Sequence, residues 1–410
     1  MADLLPESNI SSINTKVITL IKGVSKQHLQ IAIAFFAFSL IGLNDGALGV
    51  VIPGIMLEYN LDKTTIGWLF LTRTIGYIIV AFTGGILLEK IGFRWFVILG
   101  ASMFFLESII LILKLPLGVV LIGFLALGCG GIIFETGLNS FIAKLPNNAV
   151  FLNYLHGCYG IGALLSPAIV SILLSQHLSW NSFYVILLIA SLFSMISFGF
   201  IFSKVDILVQ DHKELAKSNI LIDTIKTKLI WLAAIFFLIY VGIELSIGNW
   251  SYSFLTEERE FAVLLSGWIV SGYWMGLTLS RLSLAKIVGW LGSQRLVQLC
   301  ITGIILGMLL VWLTPNLIIN AIGLWLAGFS LGPIYPTTIA LISCLVPARI
   351  LPSAIGFIAS GDSIGATLLP WLAGYLAKQF GFSSLMPYVI TFCIVMLVLW
   401  PYLVHSKDDL

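Results

Sequence analysis

The chain has 410 residues, 59% hydrophobic and only 10% charged, with a mean hydropathy of +1.06 and a formal net charge of +2. A water-soluble domain carries about 25% charged residues, so this composition excludes a soluble globular protein. The small net charge gives no footing for a nucleic-acid partner. Cys129, Cys158, Cys300, Cys344 and Cys393 all lie in apolar runs, with no CxxC pair and no Cys/His cluster. That argues against a metal site and against a disulfide framework.

The first 28 residues are mostly polar and lack an apolar core followed by a small-residue cleavage site, so no cleaved signal peptide is expected there. A helix crossing a bilayer needs ~20 mostly apolar residues, and twelve runs qualify. They are roughly 29–53, 64–88, 94–113, 117–143, 149–174, 181–203, 229–254, 264–288, 294–313, 317–345, 351–377 and 386–404. Long continuous runs are not the alternation of a strand barrel. The one long polar connection, residues 204–228, divides the chain into an N-terminal six-helix bundle (1–203) and a C-terminal one (229–410). The predicted fold is therefore an all-α integral membrane protein of twelve transmembrane helices in two pseudo-symmetric bundles.

The 21 Lys and Arg residues set the orientation. Arg73 and Arg281 lie inside spans. With the N-terminus cytoplasmic, only Lys63, Lys114, Arg259 and Lys378 fall outside the cell, and the other fifteen fall inside. Both termini and the 204–228 linker are thus expected in the cytoplasm, with the protein in the plasma (inner) membrane. The halves also repeat. A shift of 200 residues superimposes Gly42, Gly67, Trp68, Gly76, Gly123 and Gly128 on Gly242, Gly267, Trp268, Gly276, Gly323 and Gly328. Further on, a shift of 203 superimposes IGALLSP, 161–167, on IGATLLP, 364–370. Repeats of six spans enter the membrane in the same direction, and such repeats place a substrate site near the midplane between them.

Polar residues inside spans are expensive and face protein or water. In the fourth run, Gly128, Gly131, Glu135 and Asn139 share one helical face. Its two glycines are expected to admit a close helix contact, and Glu135 and Asn139 to face a polar ligand site or bind a neighbouring helix. Asp45 lies mid-span among Gly42, Gly46 and Gly49. Arg73 requires an anionic partner, for which Asp45, Glu107 and Glu135 are candidates, as a structural ion pair or a switch. Glu244, Asn249 and Trp250 combine carboxylate, amide and aromatic face, the groups a sugar needs, although Trp250 also suits an interfacial belt. Tyr273, Trp274 and Tyr335 are further substrate-site candidates, Glu107 and Asp362 are candidate relay groups, and His156 is a capping or proton-exit candidate.

The loop GILLEKIGFRW, 85–95, resembles the G-x-x-x-(D/E)-(R/K)-x-G-x-(R/K) loop of the major facilitator superfamily through Gly85, Glu89, Lys90, Gly92 and Arg94. Within that superfamily, LND at 43–45 and ETGLNSF at 135–141 look like motifs of the fucose:proton symporter family. RTIGY, 73–77, YVGIELSIGNW, 240–250, and GPIYPTTIAL, 332–341, look closer to its sodium-dependent glucose transporter-like relatives. The resemblance implies proton coupling at Asp45 and Glu135, with the amides Asn44 and Asn139 near the sugar cavity. Ser140 stands where that family has proline, and Gly42 where it has a second asparagine.

The expected function is a proton-coupled symporter of a sugar or similar small polar solute, acting as a monomer in the bilayer, without a cofactor beyond its coupling ion. The alternatives are a proton-driven exporter of drugs or lipids and a sodium-coupled sugar transporter. Against export, GIGALLSPAIV, 160–170, has Ser166 before Pro167 and so lacks the complete exporter glycine motif. No nucleophile-base constellation indicates an enzyme.

Overall fold

The computed structural model describes residues 7–146, 148–202, 218–347 and 349–405. Of the predicted linker, residues 204–217 lie outside the described residues, and the next segment forms a short helix, Ser218–Lys226. Among the described residues, eleven helices are long and apolar enough to span a membrane. One of them, Gly67–Ile112, has 46 residues. At 1.5 Å per residue that would be about 69 Å of straight helix, roughly twice the hydrocarbon thickness. It folds back at Gly92, whose φ of 77° and ψ of 159° are non-helical. The second and third spans therefore share this segment, and the fold has twelve spans.

The remaining spans follow in order: the first in helix Glu7–Tyr59, the fourth Leu117–Ile142, the fifth Asn148–Ser175 and the sixth Ser182–Ile201. The seventh, Lys228–Ser253, runs on into a π-helical turn, Phe254–Glu258. The eighth is Val263–Leu291, the ninth Ser293–Leu313, the eleventh Leu351–Phe380 and the twelfth Leu385–His405. The tenth is two helices, Leu317–Leu331 and Ile334–Leu345, separated by Gly332 and Pro333. Proline supplies no backbone N–H, which breaks the helical ladder there.

The repeat has a structural basis at several of its glycines. A Cβ on Gly128 would stand 1.9 Å from the Arg73 carbonyl oxygen, and one on Gly328 would stand 2.0 Å from that of Tyr273. Gly76 approaches the Leu125 carbonyl at 2.0 Å and Gly276 that of Trp325 at 2.5 Å. All four partners are again 200 residues apart, so spans two and four cross as spans eight and ten do. Gly92 recurs as Gly292, with φ 77° and 73°. The Gly-Trp repeat divides its work. Gly67 packs against Trp371 and Gly267 against Ser171, each in the opposite half, while Trp68 and Trp268 point outward, 57% and 55% exposed. Gly131 departs from expectation: a Cβ there would meet nothing within 4 Å. It leaves open space one turn before Glu135 and makes no close helix contact.

The halves meet through spans one and seven, five and eight, and two and eleven. Gly49 lies against the Gly248 carbonyl, and the Ala168 N–H donates to Ser271 Oγ at 3.1 Å. At the end carrying the 60–66 loop, Lys378 donates to Asp62 at 2.8 Å, Lys63 pairs with Glu257 at 3.7 Å, and Lys63 Nζ sits 3.5 Å from the centre of the Phe382 ring.

Candidate functional site

Each half carries a carboxylate on its first span held by an arginine on its second. In the N-terminal half Asp45 is ion-paired with Arg73, and the Tyr159 hydroxyl donates to Asp45 Oδ2 at 3.0 Å. In the C-terminal half Arg281 Nη2 lies 3.5 Å from Glu244 Oε2 and 3.4 Å from the Tyr240 hydroxyl. Both arginine side chains retain solvent access, 25% and 33%, although they lie within spans. In-span charges face the protein interior or water rather than lipid.

Two further carboxylates have tyrosine partners. Tyr77 Oη lies 3.5 Å from Glu135 Oε2, and Tyr335 donates to Asp362 Oδ2 at 3.0 Å. Glu135 is within electrostatic range of Asp45, and Asp362 of both Glu135 and Glu244. The four acids thus form a chain of electrostatic neighbours, Asp45, Glu135, Asp362 and Glu244, that crosses from one half to the other. Asn139, one turn beyond Glu135, turns its amide back to the Glu135 backbone carbonyl at 2.7 Å.

Other predicted site residues lie elsewhere. Asn44 is 1% exposed and donates to Glu107 Oε2 at 2.8 Å, inside the N-terminal half. Asn249 is buried beside Gly49 where the first and seventh spans meet. Trp250 is 1% exposed and donates its indole N–H to the Pro370 carbonyl at 2.8 Å, so it is not an interfacial belt residue. Tyr273 is buried and donates to the Glu244 backbone carbonyl at 2.8 Å. The buried Trp274 lies against Gly248. His156 stands edge-on to Phe38 with centroids 5.2 Å apart. In the 85–95 loop, Gly85, Glu89 and Lys90 are exposed at the helix end, Gly92 makes the fold-back, and Arg94 lies over the Trp95 ring at 5.4 Å.

Sequence reasoning did not reach Tyr77, Tyr159 and Arg281, nor the pairing of Asp362 with Tyr335. The repeat carried a signal for several of them. The 200-residue shift takes Glu135 to Tyr335, the 203-residue shift takes Tyr159 to Asp362, and Asp45 falls one residue from the equivalent of Glu244. Acid and tyrosine trade places between the halves, so a search for identical residues passes over them.

Twelve spans in two repeats around a polar interior define a multi-pass membrane transporter for a small molecule. The chain matches the model of the Major Facilitator Superfamily over residues 34–325 and 232–409, and it belongs to that family. It is 24% identical over 410 residues to Bypass of stop codon protein 6 of Saccharomyces cerevisiae, a match covering 91% of this chain and 81% of that one. It is 23% identical over 362 residues to the glucose/mannose transporter GlcP of Bacillus subtilis, covering 84% and 86%. The crystal structure of a mutant of the nucleoside transporter NupG superimposes with a TM-score of 0.77 at 14% identity, covering 92% and 99%, a likeness of fold.

Proposed function

We propose that the protein is a proton-coupled symporter of a sugar or similar small polyol, working by alternating access. The observation that carries this reading is the contrast among the four acids. Asp45 and Glu244 each lie beside an arginine. Glu135 is paired with neither in-span arginine and faces a tyrosine hydroxyl across 3.5 Å. A carboxyl group without a cationic partner in a low-dielectric interior can exchange a proton, because burial disfavours its charged form. The sugar reading is supported by the likeness to GlcP, a glucose/mannose transporter, and by the carboxylates and tyrosine hydroxyls gathered at the site.

With both termini and the linker in the cytoplasm, as the Lys and Arg distribution favours, the end fastened at the 60–66 loop faces outward. The coupling ion is the only accessory species required, and one chain forms the whole pathway. The test uses Glu135→Gln, which keeps the size of a protonated carboxyl. In proteoliposomes, uptake driven by a pH gradient should fall at least tenfold, while exchange between equal sugar pools should stay within about twofold. Full gradient-driven uptake by Glu135→Gln removes the coupling assignment. Uptake that follows sodium and ignores the pH gradient moves the protein to sodium coupling, with Asp45 and Glu135 as ion ligands.

A further inference from the structure

We propose that Asp362 and Tyr77 form the substrate clamp between the halves, with Asp362 accepting hydrogen bonds from adjacent hydroxyls of a polyhydroxylated solute. The clamp is built from two like pairs. In the N-terminal half Tyr77 of span two faces Glu135 of span four at 3.5 Å, and in the C-terminal half Tyr335 of span ten donates to Asp362 of span eleven at 3.0 Å. Tyr77 is within electrostatic range of Asp362, and Tyr335 is within range of Glu135 and Tyr77. Spans two and eleven are also in direct contact there, through a hydrogen bond from Thr367 to Thr74.

Asp362 is half fulfilled. Oδ2 is engaged by Tyr335, while Oδ1 is buried and has no hydrogen-bond partner. A buried acceptor without a donor costs about 1–3 kcal/mol, and a ligand hydroxyl removes that cost. The free Oδ1 has two lone pairs and can accept from adjacent hydroxyls, and a phenol both donates and accepts. This combination selects neighbouring hydroxyl groups over a flat apolar or a phosphorylated solute, because a phosphate at the clamp would meet Glu135 and Asp362, the two of the four acids with no arginine partner among the described residues. The Thr74–Thr367 bond keeps the two elements in register, so binding at the clamp ties one half to the other.

The assignment rests on the polyol reading, and the experiment separates the two. Binding of radiolabelled D-glucose to purified wild type, Asp362→Asn and Tyr77→Phe is measured, with melting temperature as the folding control. A loss of tenfold or more in glucose affinity for Asp362→Asn, at unchanged melting temperature, is the expected result. A single monodeoxyglucose should further show a penalty in wild type that disappears in Asp362→Asn. Affinity within twofold of wild type, or an unchanged deoxy penalty, overturns the clamp. If wild type binds no glucose or other hexose, the polyol reading fails and with it the ligand named for Asp362. The geometry is tested separately by a short bifunctional thiol reagent on Tyr77→Cys/Asp362→Cys, compared with wild type treated alike. Cross-linking confirms that the two positions confront each other across the halves, and its absence overturns that placement.

Discussion

At the scale of single residues, the interior shows two ways of housing a carboxyl group in a membrane protein. Asp45 is held by Arg73 and by the Tyr159 hydroxyl. Glu107 is fully buried, and its described partner is the Asn44 amide. A guanidinium does not lose its proton, so Arg73→Ala leaves Asp45 without its counter-charge. Removing one member of a buried pair costs about 3–5 kcal/mol. Arg73→Ala should therefore lower the melting temperature by several degrees and reduce uptake. Arg73→Ala/Asp45→Asn should recover much of the stability. Identical melting of the single and double variants would falsify the pair as the source of the loss. Arg73 was recognisable as needing an acid because its charge stands in an apolar run. Which acid it takes was not, since Asp45, Glu107 and Glu135 all lie within reach along the sequence and only the crossing of spans one and two selects among them.

At the scale of elements, glycine decides where helices touch and where they turn. The close crossing of spans two and four depends on Gly128, where a Cβ would press on backbone atoms of Arg73 and Tyr77. Neither atom can swing away as a side-chain end can, and overpacking of this kind costs about 1–3 kcal/mol. Gly128→Ala should lower stability by that amount and displace both site residues, with a fall in uptake beside the fall in melting temperature. Gly131→Ala enters open space and replaces glycine with a better helix former, so its melting temperature should not fall. Equal losses for the two variants would contradict the crossing. Gly92 has a backbone conformation essentially confined to glycine, and Gly92→Ala should cost about 1–3 kcal/mol although its Cβ would touch nothing.

Most of this level was legible in the sequence. The twelve runs correspond to the twelve spans, and the 200-residue offset marked the very glycines that make symmetric contacts. The roles of individual positions were less legible. Gly128 and Gly131 look alike on a helical face, and only the neighbouring helix distinguishes a contact from a gap. Asn44 and Trp250 read as ligand groups by residue type, yet their hydrogen bonds go to Glu107 and the Pro370 carbonyl.

At the scale of the whole molecule, the halves are fastened at one end by Asp62–Lys378, Lys63–Glu257 and the Lys63–Phe382 contact. These groups lie in loops and at helix ends, partly open to water, where an ion pair contributes ~0.2–1 kcal/mol. Weak fastening suits a carrier that must open at this end once per cycle. Hydrogen bonds from Lys378 and Thr65 hold the Asp62 carboxyl below the usual carboxylate range. A depressed acid contributes its stabilisation above its ordinary titration range and loses it only as pH falls through the depressed value. The Asp62–Lys378 part of the fastening therefore persists at neutral and mildly acidic pH. Asp62→Ala/Lys63→Ala removes both ion pairs and should shift the balance toward the form open at this end by ~2- to 30-fold. A cysteine at Ser271, buried where spans five and eight meet, reports that form by its rate of labelling with an impermeant thiol reagent. The rate should rise by the same factor in the double variant. Added salt should raise it in the parent by less than twofold, because the Lys63–Phe382 contact is screened less than the ion pairs. Unchanged labelling in the double variant would show that close packing of spans one with seven and five with eight, rather than charge, keeps this end shut.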